Sequence, residues 1–155
     1  ITGPLYADWV AKYIVHNFSQ RQIKIYREVN VCTSIIGKKR RVDIFIVCEK
    51  TNHAVAIECK YQSVPGTVDA KIPYALQDME SMQMDGYIVY SGSGFSDGVI
   101  HLLQSSEIAS KASPHHSDIN NYSRYSGTRE LDHILAMRFK WWDLLVEGKA
   151  PVQIN

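Results

Sequence analysis

Arg41-Val42-Asp43-Ile44-Phe45-Ile46-Val47-Cys48, the polar turn Glu49-Lys50-Thr51-Asn52-His53, and then Ala54-Val55-Ala56-Ile57-Glu58-Cys59-Lys60-Tyr61-Gln62 form the stretch on which the fold turns. Both apolar runs are rich in β-branched residues and bounded by turn formers, which predicts a pair of buried strands. Charge interrupts each run: Asp43 in the first, Glu58 and Lys60 in the second. A buried charge without its partner costs about 3–5 kcal/mol. These three groups therefore need a mutual salt bridge, or a divalent cation held by the carboxylates with the ammonium beside it.

Upstream, Leu5, Trp9, Val10, Tyr13 and Ile14 make one apolar helix face ending near Phe18, with Asp8 on another side. Ile23 and Ile25 then alternate with Lys24, Tyr26 and Arg27 in a strand pattern that runs on toward Val31, and Gly37 with Lys38-Lys39-Arg40-Arg41 forms a basic turn before Asp43. Downstream, Ser63-Val64-Pro65-Gly66 breaks the chain and Thr67 is placed to cap a helix whose regular part is expected near Ile72, since Pro73 suits a first turn. Tyr87–Tyr90 reads as a short buried strand and Ser96 as the cap of the next helix. Residues 106–128 read as a long polar loop, and 129–146 as a C-terminal helix whose apolar stripe is wider than one core contact needs. The order predicts an α/β domain with a central mixed β-sheet flanked by helices and a C-terminal helix, in one unit over residues 1–155.

The 155 residues suffice for one core, and 45% apolar with 21% charged residues is ordinary for a soluble globular protein. A formal net charge of +1 provides no global attraction for polyanions, so any such site must be local. Cys32, Cys48 and Cys59 lack metal-site or disulfide spacing, which fits a reducing, cytoplasmic setting. No run approaches the ~20 apolar residues of a membrane span. No charged-then-apolar leader is visible, and the chain, which opens on Ile1 rather than Met, is expected to lack a few residues there.

Asp43, followed fifteen residues later by Glu58-Cys59-Lys60, resembles the PD-(D/E)xK nuclease superfamily, with Val42 standing where the nominal motif has Pro. The helix before the strands and the helix after the Lys match that superfamily's order over roughly residues 1–105. The resemblance implies a restriction-endonuclease-like core and a Mg²⁺-dependent DNA endonuclease, with Mn²⁺ able to substitute. It implies Asp43 and Glu58 as metal ligands, the Cys59 carbonyl as a further ligand, and Lys60 as the group that orients or activates water. Asp8 resembles the acidic residue that several such nucleases carry on the first helix. Hard carboxylate oxygens suit Mg²⁺, and phosphodiester hydrolysis needs that charge and an activated water.

Gln62 falls on the Glu58 and Lys60 face by strand alternation and is expected to hold the water or a phosphate oxygen, or else to be a polar strand end. Lys38, Lys39, Arg40 and Arg41 are expected phosphate contacts, with a solvated turn as the alternative. Thr67, Asp69 and Lys71 are expected near the scissile strand, or, for the first two, as helix caps. Tyr122, Arg124 and Tyr125 would help the loop grip DNA. Gly92-Ser93-Gly94 partly mimics a dinucleotide fingerprint, but no long βαβ unit precedes it and a plain turn is the better reading. His115-His116 with Asp118 does not have a metal spacing. The expected activity is site-specific cleavage of double-stranded DNA, of restriction or homing type, by a homodimer or higher homo-oligomer. A Holliday-junction resolvase and a non-catalytic DNA-binding module are the alternatives.

Overall fold

In the computed structural model the two charged strands sit second and third in a five-stranded sheet whose strands lie side by side in chain order. The structure describes residues 1–33 and 39–155, and the side chains of all these except Cys32, Thr33 and Lys39. The strands are β1 (Ile23–Thr33), β2 (Lys39–Cys48), β3 (His53–Tyr61), β4 (Asp85–Ser91) and β5 (Ala109–Lys111). β1, β2 and β3 pair antiparallel, while β4 and β5 add in parallel to β3. The sheet is mixed, as expected from the sequence.

Helix α1 (Gly3–Phe18) starts where Thr2 accepts a hydrogen bond from the Leu5 N–H at 3.3 Å. It buries Tyr6, Trp9, Val10, Tyr13 and Ile14 against Ile44, Ile46, Val55, Ile57, Tyr87 and Val89 on one face of the sheet. Helix α4 (Arg129–Phe139) completes that layer with Leu131, Leu135 and Ala136. On the other face, α2 (Val68–Glu80) and α3 (Asp97–Ser105) pack Ile72, Leu76, Met79 and Leu103 against Ala56, Ile88 and Tyr90. β4, covered on both faces, is buried from Gly86 to Ser91.

Three local expectations are corrected. The 106–128 stretch contains β5, because Ala109 and Ser110 are small enough to bury beside β4 and extend the sheet. Short 3₁₀ turns at His115–Ser117 and Ser126–Thr128 follow, and Trp9 Nε1 and Tyr6 Oη donate to the Asn121 and Ala112 carbonyls at 2.9 and 2.6 Å, tying the segment to α1. The C-terminal helix ends at Phe139, where Lys140 turns left-handed (φ 63°), and resumes as the short α5 (Trp142–Leu145). The break lets Trp141 fold back and stack on Phe18 and Phe139 at 5.1 and 5.2 Å. Finally, α2 is regular from Val68, so Pro73 lies inside it rather than in its first turn.

One irregularity positions the charges. Strand alternation would place Val42 and Ile44 on one face. Instead Ile44 enters the α1 layer and Val42 the α2 layer. The switch falls at Asp43 and at Glu28 across from it, which has φ 55° and sits between the paired residues Arg27↔Ile44 and Val29↔Val42. Asp43 is thereby turned toward β3.

Candidate active site

The β2–β3 ladder ends at Ile44↔Ile57, one residue short of the Asp43 and Glu58 positions, so the two strands fork there. Backbone groups beyond a fork lose their strand partners, and here the carboxylates supply them. The Asp43 N–H donates to Glu58 Oε1 at 3.1 Å, and the Cys59 N–H donates to Asp43 Oδ2 at 2.8 Å. Each carboxylate caps the other strand through one oxygen.

This closeness is electrostatically costly. Burial first, and the Asp43 charge second, push the Glu58 carboxyl up to about 7, with the Lys60 ammonium opposing the rise. Burial likewise pushes the Cys59 thiol up, keeping it a thiol. Lys60 follows Glu58 by two residues on the α2 face, so its charge lies beside the fork. In an extended strand a residue's N–H and C=O face the same neighbour. The Cys59 carbonyl therefore points to the β2 side, beyond the last ladder pair.

Asp43, Glu58 and this carbonyl form an oxygen donor set suited to a hard divalent cation, whose charge would offset the burial and the Asp43 repulsion that raise Glu58. Among the described residues no three His, Cys, Asp or Glu side chains converge on one metal position. A cation at the fork would thus take the remaining ligands from carbonyl and water, which is the habit of Mg²⁺.

Two contributors escaped the sequence reading. Arg27 Nε donates to the Asp43 carbonyl at 3.0 Å and its Nη1 lies 3.5 Å from Asp8 Oδ1. Asp8 therefore reaches the Asp43 backbone through the Arg27 guanidinium, and it also pairs with Lys12 at 2.9 Å. Asp78, on α2, adds a further charge that raises Glu58, and it pairs with Arg40 at 2.7 Å. Neither residue interrupts an apolar run, and so neither carries the signal that exposed Asp43 and Glu58.

The remaining predicted positions divide. Gln62 is buried, with its Nε2 donating to the Gly94 carbonyl at 3.0 Å and its Oε1 accepting from the Asp69 N–H at 3.2 Å. Asp69 accepts from the Ser96 N–H and hydroxyl at 3.0 and 2.7 Å, bonds that hold its carboxyl below the usual range. Together they lash the end of β3 to the starts of α2 and α3. The glycine loop packs onto the same knot: a Cβ at Gly92 (φ 110°) would fall 2.1 Å from the Gln62 carbonyl oxygen, and one at Gly94 would fall 2.4 Å from the Val64 nitrogen. Close backbone packing accounts for Gly92-Ser93-Gly94 without a nucleotide.

Thr67, Lys71 and Arg41 are exposed, and Thr67 occupies the cap position of α2 without a side-chain bond. Lys38 lies outside the described residues, as does the side chain of Lys39. Arg124 is engaged elsewhere: it pairs with Asp132 and Glu147 at 3.0 Å each and lies over Phe18, ten residues or about 15 Å along α1 from Asp8. Arg124, an expected DNA contact, thus has carboxylate partners on the α4 flank.

Among solved structures, a protein of unknown function matches at 16% identity and a TM-score of 0.44, over 70% of this chain and 57% of that one. A repair endonuclease from Pyrococcus abyssi matches at 17% and 0.38, over 66% and 44%. The chain spans under two thirds of the length of either. No curated protein matches. A family model described as the PD-(D/E)XK nuclease superfamily domain matches residues 2–142, a span that takes in α1, all five strands and α4. On that match the chain belongs to the PD-(D/E)XK nuclease superfamily.

Proposed function

We propose that this protein is a metal-dependent endonuclease that hydrolyses phosphodiester bonds in double-stranded DNA, with Asp43, Glu58 and Lys60 as its catalytic residues. The observation that carries this reading is the pair of carboxylates at the fork. If their purpose were only to cap Asp43 and Cys59, an Asn and Gln pair would accept the same two hydrogen bonds without repulsion. Keeping both charges at a position that raises Glu58 to about 7 makes sense when a cation is to be bound. A non-catalytic DNA-binding module would have no use for the second charge.

Asp43, Glu58 and the Cys59 carbonyl would hold Mg²⁺, for which Mn²⁺ would substitute. When bound, the ion supplies positive charge to the phosphate and makes water a better nucleophile. Lys60 orients the attacking water and offsets charge growing on the phosphate oxygens. Arg27 fixes the Asp43 backbone, so that the carboxylate is held before substrate arrives. The Arg40 and Asp78 pair borders the site on the α2 side, next to the exposed Arg41.

Homo-oligomer formation is proposed through the α4 and α5 flank, supported by Met137, Trp142 and Val146, which are 49%, 51% and 57% exposed. The proposed cleavage is site-specific, of restriction or homing type, with a symmetric assembly addressing both strands. No helix among the described residues is long and apolar enough to cross a membrane.

The test is cleavage of a large duplex DNA with Mg²⁺ or Mn²⁺, alongside sedimentation of the protein. Discrete fragments that vanish in Lys60→Ala support the reading, and a smear would overturn site specificity. Preferential cutting of a four-way junction would favour the resolvase. No cleavage of any substrate, or full activity in Lys60→Ala, would overturn the catalytic assignment.

A further inference from the structure

We propose that the 113–117 turn and the strand ends beside it form a subsite for one unpaired nucleotide of the substrate, its base stacked on His116 and its phosphate held by Lys111 and serine hydroxyls. The proposal rests on the nuclease reading above and names a substrate class for it: DNA carrying a single-stranded nucleotide next to the duplex.

A pocket of about 290 Å³ opens at the carboxyl ends of the parallel strands β3, β4 and β5, where open α/β sheets commonly receive ligands. Tyr61, Ser91, Ser93, Lys111, Ser113 and Ser117 line it, and among the described residues no carboxylate does. The lining therefore favours an anion. Ser91 and Ser113 share one hydrogen bond at 2.7 Å, which leaves the hydroxyl proton of one of them to donate to a ligand. The Lys111 N–H is held by Glu130 at 3.3 Å, while its ammonium has no ion-pair partner among the described residues. Glu58 precedes Tyr61 by three residues on β3, about 10 Å, so the pocket lies within reach of the fork along one strand of substrate.

The same turn carries a stack of rings. His116 lies on His115 at 4.0 Å with 22° between planes, and His115 lies on Tyr125 at 4.4 Å with 30°. The base of the stack is anchored: the Tyr125 hydroxyl donates to the Ser113 carbonyl at 2.7 Å. Gly127 leaves room for the ring, since a Cβ there would fall 2.3 Å from the Tyr125 hydroxyl oxygen. His116 and Ser117 both have φ 55°, a left-handed pair without glycine, and the outermost ring, His116, is exposed. Strained residues that present a ring outward, beside a cationic hydroxyl pocket, fit a binding role better than a packing one. Bases inside a duplex have both faces covered by neighbours, so away from a duplex end a ring platform is open only to an unpaired base.

The test is fluorescence anisotropy in EDTA, which prevents cleavage, with a labelled blunt duplex and the same duplex bearing a single-stranded overhang. Wild-type protein is expected to bind the overhang substrate about tenfold more tightly. His116→Ala should lose about tenfold on that substrate and His116→Phe should retain it, because a phenyl ring stacks equally well. Lys111→Ala should lower the salt slope of overhang binding by about 0.7. Equal affinity of the wild type for both substrates, or full overhang affinity in His116→Ala, overturns the subsite. Cleavage with Mg²⁺, scored separately, keeps the two readings apart. Cutting without overhang preference removes the subsite alone, and overhang preference without any cutting removes the nuclease reading alone.

Discussion

Glu58→Gln is expected to stabilise the metal-free protein while abolishing its activity. The carboxyl moves from its ordinary 4.5 to about 7. At about 1.4 kcal/mol per unit, this corresponds to about 3.5 kcal/mol, which residual solvent screening trims to about 2–3. The sign follows from proton binding. Between pH 4.5 and about 7 the folded chain retains a proton at Glu58 that the unfolded chain has released. Stability contributed at this position therefore falls as pH rises through that window, and below it the group is neutral in both states. Glutamine has no such penalty, and its amide oxygen still accepts from the Asp43 N–H. In EDTA at pH 8 the variant should be more stable by about 2–3 kcal/mol, or about 5–10 °C in Tm for a chain of this size. Below pH 4 the two proteins should converge. Thermal and urea unfolding at both pH values read the difference directly. Saturating Mg²⁺ at pH 8 should raise the wild-type Tm and leave the variant's in place. A variant no more stable than wild type at pH 8 would refute the argument that Glu58 is held against its own electrostatics.

Lys60→Ala should reduce cleavage by about 10²–10⁴-fold, while calorimetric Mg²⁺ affinity is at least retained, since the nearest cation is removed. The cleavage rate at subsaturating Mg²⁺ should climb with pH up to about 7 and then level, because a proton on Glu58 competes with the ion. A pH-independent rate would exclude Glu58 as a ligand. Gln62→Ala should cost about 1–3 kcal/mol in urea unfolding, because it leaves the Asp69 N–H and the Gly94 carbonyl without their partner. Arg124→Ala should destabilise by about 2 kcal/mol through the buried Asp132, whose carboxyl burial already pushes up, with DNA affinity unaltered in a binding titration.

How much of this was legible in the sequence depends on where each signal lies. Asp43, Glu58 and Lys60 stand out because they interrupt apolar runs, and a burial cost can be reasoned from composition alone. The order of α1, three antiparallel strands and α2 follows from periodicity and turn residues for the same reason. β5 was illegible: Ala109-Ser110-Lys111 has no β-branched residue, and only the proximity of β4 makes it a strand. The break at Lys140 was hidden too, since nothing in a lysine announces a left-handed turn that folding of Trp141 onto Phe18 requires. Gln62 and Asp69 are ambiguous for a different reason: a polar pair on a strand end and a helix start can serve a structural knot as well as a reaction, and the sequence does not show the Gly94 and Ser96 partners that tie the knot.

The face switch at Asp43 couples the two hydrophobic layers to the fork. A regular β2 would have aimed Asp43 squarely onto one face of the sheet, away from the opening between strands. Glu28, left-handed across from it, turns the strand so that Ile44 and Val42 anchor opposite layers and Asp43 faces the Cys59 N–H. The hydrophobic cores on both sides of the sheet thus fix the carboxylate from above and below. Energy released by burying Ile44 and Val42 in separate layers offsets both the left-handed residue, at about 1–2 kcal/mol, and the repulsion at Glu58. The geometry also explains why substitution at Glu28 should be felt at the site without touching it. A β-branched residue there, such as Glu28→Val, tolerates the left-handed conformation least. It should lower Mg²⁺ affinity together with stability, whereas Glu28→Gly should preserve affinity, and calorimetry on the two variants compares them directly. Equal Mg²⁺ affinity in both would show that the switch does not position Asp43.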